Sequence, residues 1–250
     1  MNAGQLQIPD IFARCRLMLG DEEFKRIQAL RVAVFGLGGV GGWCAEALAR
    51  SGVGHMMIVD SDRVAASNVN RQVMATTATI GRVKADVLAE RLREINPAIE
   101  LKVRAEAYTA ETAASFHLED FDFVVDAIDS LQHKADLIRH ALSIPSVRLV
   151  SSMGAALKMD LFSIRASEFG KVEGDGLARA LRQRFRKTGG MPARKFMCVW
   201  SPERRENLGA APASEPEDTW SVRKARTNGT MAHTTAAFGL ALASLVLRSY

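Results

Sequence analysis

Five glycines, Gly36, Gly38, Gly39, Gly41 and Gly42, follow the apolar run Val32 to Phe35, and a carboxylate, Asp60, closes a second apolar run about 20 residues on. Glycine at Gly36, Gly38 and Gly41 allows a tight turn, a close backbone approach to phosphate and close helix-to-strand packing, each of which a side chain would block. The helix read as opening at Gly39 offers N–H groups and a positive dipole end to an anion. Asp60 stands where a carboxylate meets a ribose. Residue types and spacing together describe a nucleotide site, against the plainer reading of a structural turn.

Three further segments carry groups of the right kind. Ser61 to Met74 crowds Asp62, Asn68, Asn70, Arg71 and Gln72 into the loop after the second strand, where ligands of open α/β sheets sit. Lys84 occupies the first turn of a helix, where it opposes the dipole; propensity gives no reason for it and a bound anion would. Asp126 and Asp129, in DAIDS, follow a fourth strand, each readable either as a loop or capping aspartate or as a metal ligand; Ser130 is the expected N-cap of the next helix. A dinucleotide brings two phosphates, which the glycine turn satisfies. A triphosphate carries more charge, and its chemistry is mostly charge neutralisation and positioning. Arg71, Lys84 and a Mg²⁺ held by Asp129 would supply the cations, so the set favours ATP over NAD.

Strands are read at Val32 to Phe35, Met56 to Val59, Ile99 to Val103, Phe121 to Val125 and Val147 to Ser151. Helices alternate with them: one after the glycines, Arg82 to Asn96, a short one at Thr109 to His117, and one from Ser130 to about residue 142. The pattern predicts an α/β, Rossmann-like, doubly wound and mostly parallel sheet. Two short helices, Ile11 to Leu19 and Asp21 to Ala29, form an N-terminal arm with nothing of its own to bury against. Beyond residue 152 the character changes: Lys158 to Ile164 and Lys195 to Ser201 suggest added antiparallel strands, and Leu177 to Lys187 is a basic helix. Residues 203 to 227 read as a long mobile loop, and Met231 to Arg248 as an apolar C-terminal helix. The whole, 1–250, is read as one ATP-binding domain: arm 9–30, nucleotide core 31–170, and 171–250 carrying the basic helix, loop and last helix.

The chain has 250 residues, 48% of them hydrophobic, and a formal charge of +5. Three scattered cysteines make no disulfide framework, and no signal peptide is visible, so a reducing cytoplasm is expected. The longest apolar stretch falls short of the ~20 residues that span a bilayer, which argues against a membrane role.

GLGGVG at Gly36 to Gly41, VDSDRVAASNVNRQ at Val59 to Gln72, GRVKA at Gly81 to Ala85 and DAIDS at Asp126 to Ser130 together resemble the ATP site of the ubiquitin-activating-like adenylyltransferases. Within that superfamily the chain is most similar to the tRNA threonylcarbamoyladenosine dehydratases, through ARCRLMLG at Ala13 to Gly20, AEALARSGVG at Ala45 to Gly54, GDGLARALRQRFRK at Gly174 to Lys187 and MCVWS at Met197 to Ser201. The resemblance implies that Gly39 contacts the phosphates and Asp60 the ribose, with Ser67, Asn68, Asn70 and Arg71 around ATP. Lys84 would lie near the α-phosphate, Asp129 would hold Mg²⁺, and Arg14 would reach across a homodimer interface to the γ-phosphate. It also implies adenylation of the threonyl carboxylate of threonylcarbamoyladenosine in tRNA, then ring closure by the neighbouring carbamoyl group. That second step is intramolecular, so no protein nucleophile is required.

Relatives that activate ubiquitin-like sulfur carriers are the alternative, and a sulfur-transfer partner stays open. They commonly hold zinc on two CxxC pairs; none exists here, so no zinc is expected. Cys44 and Cys198 read as core residues, and no role falls to the histidines. For a tRNA, two basic runs offer phosphate contacts: Arg182, Arg184, Arg186, Lys187, Arg194 and Lys195, and Arg223, Lys224 and Arg226.

Overall fold

Strand β1 (Arg31–Phe35) is apolar and buried along almost its whole length, the signature of a strand covered on both faces. In the computed structural model, which describes residues 11–210 and 228–249, it lies at the middle of a sheet ordered β3-β2-β1-β4-β5-β7-β6. The flanking strands are β2 (His55–Val59), β3 (Glu100–Arg104), β4 (Phe123–Asp126) and β5 (Arg148–Ser152). All of these pair in parallel, as does β7 (Met197–Trp200) with β5; β6 (Arg165–Glu168) runs antiparallel at the edge. The doubly wound, mostly parallel sheet with an antiparallel extension is therefore as the alternation predicts.

Because successive strand residues face opposite ways, β1 and β2 feed two cores. Val32, Val34, Met56 and Ile58 face α3 (Gly41–Arg50), α4 (Lys84–Ile95) and the last helix, α7 (Ala232–Leu247). Ala33, Phe35, Met57 and Val59 face Phe116, Leu137 and Phe185, the last two on α5 (Leu131–Ser143) and α6 (Gly176–Lys187). Helix α7 is apolar on most faces because it is wedged against α3, β5 and β7. Gly239 permits this closeness: a Cβ there would stand 2.4 Å from the Val40 carbonyl oxygen. The arm, α1 (Ala13–Leu19) and α2 (Asp21–Ala29), packs through Phe12 and Phe24 beside Gly52, just before β2.

Two local readings are corrected. Lys158 to Ile164 is not a strand. Asp160 accepts the Phe162 N–H, Glu203 accepts those of Met159 and Asp160, and the Lys158 ammonium donates to the carbonyls of Ser201 and Glu203, so side chains take the groups a ladder would use. The edge strand comes after it, in the polar RASE, which carries no apolar alternation to read. Thr109 to His117 is not an α-helix either. Hydroxyls of Thr109 and Thr112 bond local backbone groups, leaving a single 3₁₀ turn, Ala113–Phe116, ended by His117 in the left-handed region. Residues 203–210 lack regular structure; 211–227, the rest of the expected mobile loop, lie outside the described residues.

Candidate nucleotide site at the strand-order reversal

Strand order reverses between β1 and β4, and the crevice beyond their carboxyl ends is where such a sheet accepts a ligand. The glycine turn leaves β1 there, and DAIDS leaves β4. Gly36 has φ +83°, and a Cβ on it would lie 2.7 Å from the Ala127 carbonyl oxygen. A Cβ on Gly41 would fall 1.8 Å from the Gly36 carbonyl oxygen. The turn is thus folded tightly on itself and against the β4 loop, and α3 opens at Gly41, two residues later than the sequence reading at Gly39.

Asp60 closes β2 facing the turn. Its Oδ2 accepts the Leu37 N–H at 2.7 Å and its Oδ1 the Asp62 N–H at 2.9 Å. Burial raises its pKa above the ordinary 3.8, against the pull of Lys84 and the two backbone donors. Lys84 is 5% exposed, and its Nζ lies 2.8 Å from Asp62 Oδ2. The anion that accounts for a lysine at this helix start is therefore, in the first instance, a protein carboxylate. Asp62, a cofactor-binding candidate from the sequence, holds the lysine.

The loop after β2 is organised by its own side chains. Arg71 Nη1 donates to the Ser67 carbonyl at 2.8 Å and to Asn70 Oδ1 at 2.9 Å. Asn70 Nδ2 reaches the Thr230 carbonyl at 3.0 Å, and Trp43 Nε1 donates to the Arg71 carbonyl at 3.1 Å. Asn68 is buried, and its Oδ1 accepts the Ala65 N–H. Gly39 lies against Arg71 and Thr235, so the turn, the loop and the start of α7 meet. Gln72 is 6% exposed beside Gly38, and among the described residues its Oε1 has no hydrogen-bond partner. A buried, orphaned acceptor at this point fits a site built for a donor that a ligand brings.

On the β4 side the two aspartates part company. Asp126 is fully buried and paired with Lys134 Nζ at 2.8 Å, so its carboxylate is spent inside the protein and the metal reading of it is withdrawn. Asp129 is exposed at the loop tip. Ser130 takes the N-cap position of α5, but its hydroxyl makes no cap hydrogen bond. Among the described residues no three His, Cys, Asp or Glu side chains gather to hold a metal by themselves. One exposed carboxylate, on a loop whose Ala127 abuts Gly36 of the glycine turn, is the donor type that suits Mg²⁺, which is bound through one or two carboxylates plus the phosphates it accompanies.

Arg14 is exposed on α1, and the arm packs at the amino end of β2, the edge opposite Asp60. Within one chain Arg14 is not brought to the site. Cys44 and Cys198 are fully buried, which pushes their thiol pKa values well up. In the basic run, Arg182 donates to the carbonyls of Phe169 and Val172, and Arg194 to those of Leu142, Ile144 and Val147. Both are internal clamps. Arg186 and Lys187 are exposed and Arg184 half-exposed; Arg223, Lys224 and Arg226 lie outside the described residues.

Sequence reasoning missed Lys134 and Ser151, which hold Asp126, and the Asn70 to Thr230 link. The signal for Lys134 was there: it falls on the apolar face of α5, four residues before Ile138, where a lysine is out of place.

The profile of the ThiF family matches residues 12–250. The tRNA threonylcarbamoyladenosine dehydratase of Bacillus subtilis is 40% identical over 178 residues, 71% of this chain and 70% of that protein. That of Escherichia coli is 36% identical over 174 residues, 70% of this chain and 65% of that protein. A crystal structure of the E. coli tRNA N6-threonylcarbamoyladenosine dehydratase in complex with ATP is similar with a TM-score of 0.84 at 30% identity, covering 96% of this chain and 93% of that one.

Proposed function

The chain belongs to the ThiF family, and from that premise we propose that it carries out the ATP-dependent dehydration of threonylcarbamoyladenosine in tRNA. The observation that carries this reading is the convergence of the glycine turn, Asp60, the Lys84–Asp62 pair, Arg71 and the Asp129 loop on one crevice, in a fold shared along nearly its whole length with an ATP-bound dehydratase. In the assigned reaction the threonyl carboxylate attacks the α-phosphate of ATP and pyrophosphate leaves. The carbamoyl group then attacks the acyl adenylate, the ring closes, and the carboxylate oxygen departs in AMP. The nucleoside has lost one water in net terms.

The residue roles are assigned as follows. The turn Gly36, Gly38, Gly39 and Gly41 presents backbone to the phosphates, and Asp60 accepts from the ribose. Ser67, Asn68 and Asn70 shape the loop that aims Arg71 at the phosphates, Gln72 Oε1 accepts a donor from the nucleotide, and Asp62 holds Lys84 toward the α-phosphate region. Asp129, with Ser130 beside it, would hold Mg²⁺, which when bound neutralises phosphate charge. Arg14 would act on the site of a second copy in a homodimer. No zinc is assigned. No described helix is long and apolar enough to cross a membrane, and we place the reaction in the cytoplasm. Activation of a sulfur carrier is the rival within the family. Neither buried thiol supports a covalent step.

The deciding experiment is exchange of labelled pyrophosphate into ATP with tRNA bearing the modified nucleoside, with unmodified tRNA, and with a ubiquitin-like carrier, followed by mass spectrometry of the nucleoside. Exchange that needs the modified tRNA, with loss of one water, is expected. Exchange that ignores tRNA and follows the carrier would overturn the reading.

Asp60 supplies a pH signature. Its raised pKa in the free protein falls when ribose hydroxyls donate to the carboxylate, because donation favours the charged form. Binding therefore releases a proton near the free-state pKa, and affinity declines as pH drops through it. Calorimetry of ATP binding in buffers of different ionisation enthalpy should detect a released proton at low pH, and that release should fade as the pH is raised and the free carboxylate becomes fully ionised.

The tRNA face excludes the internal clamps. Reversing Arg184, Arg186 and Lys187 to glutamate is expected to weaken tRNA binding and to lower its salt slope by about one per lost phosphate contact, with ATP affinity unchanged. Arg182→Glu should instead lower stability by about 1.5–3 kcal/mol, the scale of hydrogen bonds made by a charged group. Unaltered tRNA affinity in the triple reversal would remove α6 from the interface.

A further inference from the structure

The Asp126–Lys134 pair is the most buried charge arrangement described in this protein, both side chains being at 0% exposure. It is also unusually well connected. Lys134 Nζ lies 2.8 Å from Asp126 Oδ2 and donates to the Ile128 carbonyl at 3.1 Å. Ser151 Oγ, on β5, donates to the same Asp126 Oδ2 at 2.6 Å. Asp126 Oδ1 accepts the Ile128 N–H at 3.2 Å, and the Lys134 N–H closes on the Ser130 carbonyl at 2.9 Å. One ammonium thus grips a short loop at its first residue and at the residue before Asp129, while the backbone of the same lysine grips the residue after it.

The loop has a second neighbour. The Ala127 N–H donates to the Phe35 carbonyl at 2.8 Å, and its own carbonyl oxygen abuts Gly36, the first glycine of the phosphate turn. Any shift of 126–130 therefore changes the separation between Asp129 and that turn. A hydrophobic pair of similar volume would fill the space under β4 and β5 equally well for stability, and often better. It could not hold the Ile128 carbonyl.

We propose that Lys134, with Asp126 and Ser151, is a positioning group for the reaction: the buried pair fixes the 126–130 loop so that the Asp129 carboxylate stands at a set distance from the Gly36–Gly41 phosphate turn. The proposal rests on the assignment of Asp129 to the nucleotide-bound Mg²⁺. It predicts that the geometry of that carboxylate, rather than the fold, is what the ion pair protects.

The test uses Lys134→Met, the double variant Asp126→Asn with Lys134→Met, Ser151→Ala and Asp129→Asn in the full chain. Lys134→Met leaves a buried carboxylate without its partner and is expected to melt early. The double variant removes both charges and should recover most of the melting temperature. Three further readouts separate positioning from folding. In the recovered double variant, amide hydrogen exchange of residues 127–130 without ligand should speed up by at least tenfold, and the Mg²⁺ concentration for half-maximal pyrophosphate exchange should rise by about 10–100-fold, the range found when support of a metal ligand is removed. ATP affinity in EDTA should stay at the wild-type value. Ser151→Ala should show the same signs in smaller degree.

A double variant that folds with wild-type protection at 127–130 and wild-type Mg²⁺ dependence overturns the proposal, since the pair would then serve stability alone. Asp129→Asn separates the two claims. If it leaves the Mg²⁺ dependence unchanged, the assignment of Asp129 fails, and the proposal with it, whatever the exchange data show. If Asp129→Asn shifts that dependence and the double variant does not, the assignment stands and the positioning role is overturned.

Discussion

Lys84→Met is expected to cut adenylate formation by ~10²–10³-fold, the usual loss when one preorganised group facing developing charge is removed. The lysine is 5% exposed and sits in the first turn of α4, held at 2.8 Å by Asp62, so its ammonium is confined rather than sampling solvent. Such a charge costs little reorganisation when phosphate arrives and exchanges one anion for another. Methionine keeps the apolar stem and removes the charge. The Asp62 carboxylate left behind is 36% exposed and is rehydrated, so the variant should fold. Pyrophosphate exchange reads the rate, and the loss should fall on kcat more than on the KM for ATP. A rate within tenfold of wild type in a folded variant would leave Lys84 as a structural partner of Asp62.

Gly41→Ala is expected to destabilise the fold by about 3 kcal/mol or more, the upper range for forced overpacking, and to abolish measurable ATP binding. The added carbon would fall 1.8 Å from the Gly36 carbonyl oxygen and 3.1 Å from the Ala127 Cβ. Both neighbours are held by the sheet, so relief must come from opening the phosphate turn. Gly38→Ala is the matched control. Its Cβ would meet nothing closer than Gln72 Nε2 at 3.8 Å, so folding should be near wild type while any loss of ATP affinity reports phosphate approach. Denaturant midpoints and calorimetry check both. A stable Gly41→Ala variant that binds ATP would mean that the turn is not packed in this way.

The regular part of this fold could be read because local signals and burial agree there. Apolar runs such as Val32 to Phe35 are what a strand covered on both faces needs, and the helical spacing from Lys84 to Ile95 buries one side of α4. The glycine spacing, Asp60 and the polar loop then follow at one edge, because every parallel strand of such a sheet ends on the same side. Readings failed where a few side chains set the backbone locally, as Asp160 and Glu203 do around Met159. A period of two in hydropathy does not register hydrogen bonds to residues more than forty positions away.

From sequence alone, then, came the sheet, its winding, and the gathering of the glycine turn, Asp60 and the polar loop at the carboxyl ends of its strands. These depend on short-range periodicity and on steric demands that a single turn imposes. Which aspartate is buried and which exposed, which arginines are internal clamps, and what holds Lys84 were decided only by tertiary structure. Asp126 and Asp129 are alike three residues apart in one motif; they differ because Lys134 and Ser151, brought in by α5 and β5, bury and pair the first, whereas the second stands exposed at the loop tip. Charge is visible in a sequence, but the role of a charge depends on its partners, and partners are assigned by packing.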